Sequence, residues 1–284
     1  MEDRWVRGDG VTLRCVEWHL EQTSNGGPPL LLLHGMSSNA LFWLRVAAEL
    51  PQRRVLALDL RGHGHSDRPP HGYTAEVMAA DVASAIRDLA LAGLVVAGHS
   101  WGAAIALQLA ATEPSLISRL ALVDGPTASL AGRMSFEEAD REMRPPSPCY
   151  RRPEEIDSDT ERFLRDAWGN DLRPFARASF AATAHGWCPV LPEEGRLEMV
   201  RSLHTFRPEP LLDRLGIPTL IVAASDDSDG VAPGVLGWWR SQVEAAAARC
   251  QCGEARRYDS RHDIPLIRPA QLAADIGGIR SCCS

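Results

Sequence analysis

One stretch constrains this chain more than any other: Leu94-Val95-Val96-Ala97-Gly98-His99-Ser100-Trp101-Gly102-Ala103-Ala104. An apolar, strand-like run ends in Gly98-His99-Ser100-Trp101-Gly102 and passes at once into an Ala-rich helical pattern. That order fits a strand that turns sharply into a helix. Gly98 and Gly102 lack the Cβ atoms that would collide in so tight a turn, and Ser100 is left at its tip in a strained conformation. The N–H of Trp101 and the first helical turn then face whatever carbonyl approaches Ser100. Ser100 is the candidate nucleophile.

The chain around this turn alternates between strand and helix patterns. Residues 4–18 read as an antiparallel hairpin about Gly8-Asp9-Gly10, and residues 30–33 are a continuous apolar run, as in a strand buried on both faces. Residues 40–50 have helical period, 55–59 read as a strand, and Thr74 is the N-cap of a helix reaching about residue 91. A strand at 94–97, a helix at 101–112 and a strand at 119–124 follow. This rhythm predicts an α/β fold, a mostly parallel sheet of about eight strands with helices on both faces.

Between about Pro126 and Leu212 the alternation stops. The Pro-rich residues 144–153 exclude a regular helix or a central strand. Ser135 with Glu138, and Ser158 with Glu161, fit capping boxes, so the segment reads as helical. The pattern resumes at 218–224, with a helix near 234–248, a short strand at 255–258 and a terminal helix over 264–279. The expected division is a core of 1–126 and 212–284 carrying a helical cap at 127–211.

Composition removes several functions. A net charge of −7 argues against a nucleic-acid-binding surface, and all 30 basic residues are Arg. Without Lys there is no Schiff base, no P-loop lysine and no Ser–Lys dyad. No apolar run approaches the roughly 18 residues of a membrane span, and the start, Met1-Glu2-Asp3-Arg4-Trp5, has no signal-peptide core. The seven cysteines, Cys250-Gln251-Cys252 and Cys282-Cys283 among them, have no His at zinc spacing. They are expected to be reduced thiols in a cytoplasmic protein with no metal and no cofactor, whose partner is a small-molecule substrate.

Four motifs in order resemble the α/β-hydrolase superfamily. They are Gly98-His99-Ser100-Trp101-Gly102, His34-Gly35 after the Leu run, Asp59-Leu60-Arg61-Gly62-His63-Gly64-His65-Ser66-Asp67 as a D-x-R-G-x-G-x-S turn, and Arg261-His262-Asp263-Ile264-Pro265. A serine hydroxyl needs a base, and the resemblance implies His262 for that role. It also implies an orienting acid just after the 218–224 strand. Counting from Pro218 reaches Asp227, and counting back from Pro233 reaches Asp229. Asp227 is preferred because strand ends fix geometry better than loops, and Asp124 is the outside candidate because some relatives place the acid there. The backbone N–H groups of Met36 and Trp101 are the implied oxyanion donors.

Haloalkane dehalogenases and epoxide hydrolases of this fold share the Trp after the nucleophile but use Asp at the elbow. Serine gives an acyl-enzyme instead of an alkyl ester, so acyl chemistry is expected. The implied activity is serine hydrolysis of a small ester, lactone or similar activated carbonyl. C–C bond hydrolysis or biosynthetic acyl transfer is the second reading, and a non-catalytic ligand-binding protein the third. Within 127–211, Phe163, Leu164, Ala167 and Trp168 fall on one helical face and are expected to pack internally. The many arginines there are expected to form a solvated face rather than to read a substrate carboxylate.

Overall fold

The structure is a computed structural model that describes residues 1–19, 27–144, 148–228 and 230–280. Its strands in chain order are β1 (Glu2–Arg7), β2 (Thr12–Trp18), β3 (Leu30–Leu33), β4 (Val55–Leu58), β5 (Leu94–His99), β6 (Ile117–Val123), β7 (Phe180–Thr183), β8 (Gly186–Pro189), β9 (Thr219–Ala224) and β10 (Gly253–Tyr258). Eight of them form one sheet in the order β1-β2-β4-β3-β5-β6-β9-β10. β1 and β2 pair antiparallel, as do β2 and β4, and every other pair in this sheet is parallel. The α/β class is therefore observed.

The Leu run shows why the central strands are apolar throughout. Leu31 and Leu33 join one core layer, while Leu30 and Leu32 join the other, as the two-residue period of a strand requires. The first layer receives α2 (Ala75–Asp88) and α3 (Trp101–Thr112), and the second receives α1 (Leu44–Ala48) and α12 (Pro269–Gly277). Thr74 caps α2, its hydroxyl accepting from the Val77 N–H.

Between β6 and β9 the chain leaves the sheet and forms α4 (Phe136–Met143), α5 (Pro153–Leu164), α6 (Arg173–Ala178), the β7–β8 hairpin, α7 (Glu193–Thr205) and α8 (Pro208–Leu212). The capping box of Ser135 and Glu138 opens α4. The second proposed box does not form. Pro153 opens α5 with its preset φ, which places Ser158 mid-helix, donating to the Glu154 carbonyl at 3.0 Å. The segment is also not wholly helical. β7 and β8 pair antiparallel, and Tyr150 bridges to Trp187 beside them. After β9, the helical stretch divides at Gln242 into α9 (Pro233–Ser241) and α10 (Val243–Arg249), and the terminal one divides before Pro269 into α11 (Ile264–Ile267) and α12.

Cys149 and Cys188 form a disulfide, which corrects the expectation that all the cysteines are reduced. The partners are 39 residues apart in sequence and meet only because the β8 strand lies against Tyr150. Cys252 is also disulfide-bonded, and Cys15 and Cys250 are buried thiols. The cytoplasmic expectation leaned on reduced thiols and loses that support. Among the described residues no helix is long and apolar enough to cross a membrane.

Candidate active site

Ser100 occupies the turn between β5 and α3 with φ 53° and ψ −116°, a conformation most L residues avoid. Its N–H donates to the Val123 carbonyl at 2.9 Å, and its own carbonyl accepts from the Ala103 N–H at 3.0 Å. The two flanking glycines are required by space. A Cβ on Gly98 would lie 2.1 Å from the Gly102 carbonyl oxygen, and one on Gly102 would lie 2.3 Å from that of Leu33. The turn therefore fits only because both side chains are hydrogen.

His262 lies between β10 and α11, and it is buried. Its Nδ1–H donates to Asp124 Oδ2 at 2.7 Å, so in the neutral ring Nε2 carries no proton. Asp124 directly follows β6 with φ 44° and is held from several sides. Its N–H donates to the Val222 carbonyl at 2.7 Å, and its Oδ1 accepts from the Ala224 N–H at 3.1 Å. The Arg240 guanidinium on α9 adds Nε to Oδ1 at 3.0 Å and Nη2 to Oδ2 at 2.6 Å.

This geometry corrects the preference for Asp227 as the partner of His262. Asp227 lies past the end of β9, its side chain is 57% exposed, and its carboxylate pairs with the outer nitrogen of Arg240. Neighbouring Asp226 turns back onto the N–H and hydroxyl of Ser228 at 2.8 and 3.0 Å. Asp229 lies outside the described residues. Asp124 prevails because β6 and β9 are adjacent and the end of β6 faces the loop that delivers His262. Arg240 had no motif to mark it, and only the fold, which brings its guanidinium to Asp124, singles it out.

The charges reinforce one another. Burial alone would raise the Asp124 carboxyl, but the hydrogen bonds from His262 and Arg240 outweigh it and hold the carboxyl far below the usual carboxylate range. Burial likewise works to lower the His262 pKa, but the bond to Asp124 and its charge prevail, so the net shift is upward. The positive charge of Arg240 opposes that rise. His99 packs on His262 with ring centroids 4.5 Å apart, and its Nε2–H donates to the His262 carbonyl at 3.0 Å. Burial pushes His99 down to about 3, so it stays neutral while it tethers the loop.

Two more histidines shape the loop that carries Met36. His34 donates from Nδ1 to the Gly35 carbonyl at 2.7 Å and accepts the Leu60 N–H on Nε2 at 3.1 Å. His63 donates from Nδ1 to the Arg61 carbonyl at 2.9 Å and accepts the Ser37 N–H on Nε2 at 3.3 Å. An accepting nitrogen requires a neutral ring, and burial pushes these two to about 4 and about 3. Asp59 fixes the same region, accepting the N–H groups of Ala40 and His65 at 2.7 and 2.9 Å.

Ser100, His262, Met36 and Trp101 line one cavity of about 690 Å³. The residues between β6 and β9 supply part of its wall, including Met143, Phe163, Phe175 and Leu203, and α9 adds Val235 and Trp239. Phe163 was expected to pack internally. Instead α5 ends at Leu164, Arg165 turns to φ 55°, and Phe163 is left 42% exposed beside the cavity while Leu164 takes the buried position. Among the described residues, no group of three or more His, Cys, Asp and Glu side chains is arranged to hold a metal ion.

Comparison with known proteins places this geometry in a family. A family model described as alpha/beta hydrolase fold matches residues 28–242. The chain is 28% identical over 273 residues to the lipase LipV of Mycobacterium tuberculosis, covering 92% of this chain and 97% of that one. An uncharacterized protein of the same organism is 39% identical over 101 residues, and the match spans 35% of this chain and 30% of that protein. The solved structure of E-2-(acetamidomethylene)succinate hydrolase superposes with a TM-score of 0.79 at 22% identity, covering 98% of each chain. On the strength of the family match, this chain belongs to the α/β-hydrolase fold family.

Proposed function

We propose that this protein is a serine hydrolase that cleaves a small ester, lactone or similar activated carbonyl through an acyl-enzyme. The observation that carries the reading is the 2.7 Å bond from His262 Nδ1 to Asp124, in a loop that lines the same cavity as Ser100. In this reading the neutral Nε2 of His262 takes the Ser100 proton as Oγ attacks the carbonyl carbon. The negative charge that develops on the carbonyl oxygen is met by the N–H groups of Met36 and Trp101. His262 then gives its proton to the leaving group, and the acyl group remains on Ser100. Water, deprotonated by His262 in turn, attacks the acyl carbon and releases the acid.

Asp124 is the orienting acid in this account. It holds His262 in the tautomer that leaves Nε2 basic, and it stabilises the imidazolium formed in each half-reaction. Arg240 is a positioning residue, acting through Asp124. Residues 127–211 serve as a cap, and their contribution to the cavity wall supports that role. The lipase among the similar proteins agrees with acyl chemistry.

The test is turnover of p-nitrophenyl acetate and butyrate by wild type and Ser100→Ala. The variant should lose about 10⁴-fold or more in kcat while keeping its circular-dichroism spectrum. Wild-type rates in Ser100→Ala would remove Ser100 as nucleophile and the proposal with it.

A further inference from the structure

We infer that the substrate is an ester with an aromatic ring on its alcohol portion, held in an aromatic cleft that adjoins the catalytic cavity beside the His262 loop. The inference rests on the hydrolase reading above, because it assigns the group that His262 would protonate as it leaves.

The cleft has a volume of about 580 Å³, and Tyr150, Phe163, Phe175, Ala176 and Phe180 form its apolar wall. It borders the catalytic cavity along Ser37, Phe163, Phe175 and Asp263, which line both. Phe163, at this border, is an exposed side chain. An aromatic ring left in water at the edge of a concave site gains most when the apolar surface of a ligand covers it.

The wall is held in place from several sides. Arg261 is buried and directly precedes His262. Its Nη1 donates to the Phe163 carbonyl and its Nη2 to the Leu164 carbonyl, each at 2.8 Å, so the loop that carries the base also fixes the end of α5. Phe175 packs on Phe42 with ring centroids 5.7 Å apart, and Tyr150 meets Phe180 edge to face at 5.4 Å. The backbone of Tyr150 exchanges two hydrogen bonds with Trp187, and the Cys149–Cys188 disulfide closes the same place. A wall fixed in this way loses little freedom when a ligand arrives. Asp159 accepts the Tyr150 hydroxyl at 2.7 Å and pairs with Arg162, which leaves the rings as the recognising surface.

The direction of proton transfer decides which half of the ester the cleft takes. His262 gives its proton to the leaving oxygen, so the alcohol lies on the His262 side of the carbonyl carbon. The cleft includes Asp263 and Leu266, which follow His262 in the chain. Met143, Leu203, Val235 and Trp239 line the catalytic cavity and not the cleft, and they leave a separate apolar wall for the acyl chain.

The experiment compares kcat/KM for propyl acetate and 3-phenylpropyl acetate, whose alcohols are of similar acidity. A second pair, ethyl butanoate and ethyl 4-phenylbutanoate, carries the ring on the acyl side. Wild type should favour 3-phenylpropyl acetate over propyl acetate by about tenfold or more, the scale of burying one ring. Thr160 lines the cleft from α5, and Thr160→Trp, which fills it, should reduce that ratio by about tenfold. Phe180→Ala should reduce it by about threefold, and provides a second reading if Thr160→Trp does not fold. The ratio within the acyl pair should stay within about twofold of wild type in both variants. A wild-type alcohol ratio of one or below, a ratio unchanged in the folded variants, or a loss that falls on the acyl pair instead overturns the inference. Labelling of wild-type Ser100 by a fluorophosphonate separates the failures. If Ser100 labels and 3-phenylpropyl acetate is not preferred or not cleaved, the cleft assignment alone is wrong. If Ser100 does not label and no ester is cleaved, the hydrolase reading falls and takes the cleft with it.

Discussion

The loops that follow β6 and β9 leave adjacent parallel strands at the same end of the sheet, each carries aspartate, and one arginine touches both. Yet their carboxylates occupy different environments. Asp124 directly follows β6, is buried, and receives His262, Arg240 and the Ala224 N–H. Asp227 lies farther along its loop, is more than half exposed, and meets only the outer nitrogen of Arg240 among the described residues. The difference shows that proximity to a strand end is not enough to make a partner for His262. The carboxylate must also be desolvated and lie where the imidazole arrives.

Replacing the acids separately gives the strongest test of that contrast. Asp124→Asn should lower kcat by about 10³–10⁴-fold, because a neutral amide neither holds the His262 tautomer nor stabilises the imidazolium. The same change should move the pH profile. His262 must be neutral to accept a proton, so kcat/KM falls on the acid side as pH drops through its pKa. The Asp124 bond raises that pKa above the ordinary histidine value, so wild type should lose activity at a higher pH than an isolated histidine would dictate. Asp124→Asn should shift the acid limb downward. An upward or absent shift, measured on residual kcat/KM, would break the contrast.

Arg240→Gln should have a smaller effect of opposite sign on that limb. Arg240 opposes protonation of His262, so its loss should move the limb to higher pH while lowering kcat about tenfold through a less firmly held Asp124. It should also destabilise the fold by about 3 kcal/mol, because it leaves a buried carboxylate with one cation fewer. Thermal unfolding followed by circular dichroism reads that loss. Asp227→Asn should be the mildest change. Its ion pair is exposed on the aspartate side and contributes about 0–1 kcal/mol, so kcat should stay within about twofold of wild type.

The parts of the molecule that were legible from sequence are those set by local backbone chemistry. The turn at Ser100 is one, because Gly98 and Gly102 must lack Cβ wherever the rest of the chain goes. The Leu run is another, since a strand covered on both faces is apolar at every position. The partner of His262 was less legible because it depends on which of two neighbouring strands ends beneath an imidazole delivered from more than a hundred residues away. Counting from Pro218 measures distance along a loop and is blind to that. Arg240 was invisible for a similar reason. In a chain whose basic residues are all Arg, nothing local distinguishes a buried guanidinium from a solvated one. The β7–β8 hairpin escaped notice because its short strands are neither strongly alternating nor fully apolar.

The central claim is that Ser100 is activated by a histidine that Asp124, and not Asp227, orients. The direct measurement is the rate at which a fluorophosphonate modifies Ser100, followed by intact mass, in wild type, Asp124→Asn and Asp227→Asn. The account predicts a single adduct on Ser100, slowed about a hundredfold or more by Asp124→Asn and within about twofold of wild type in Asp227→Asn. Slow labelling confined to Asp227→Asn would contradict it.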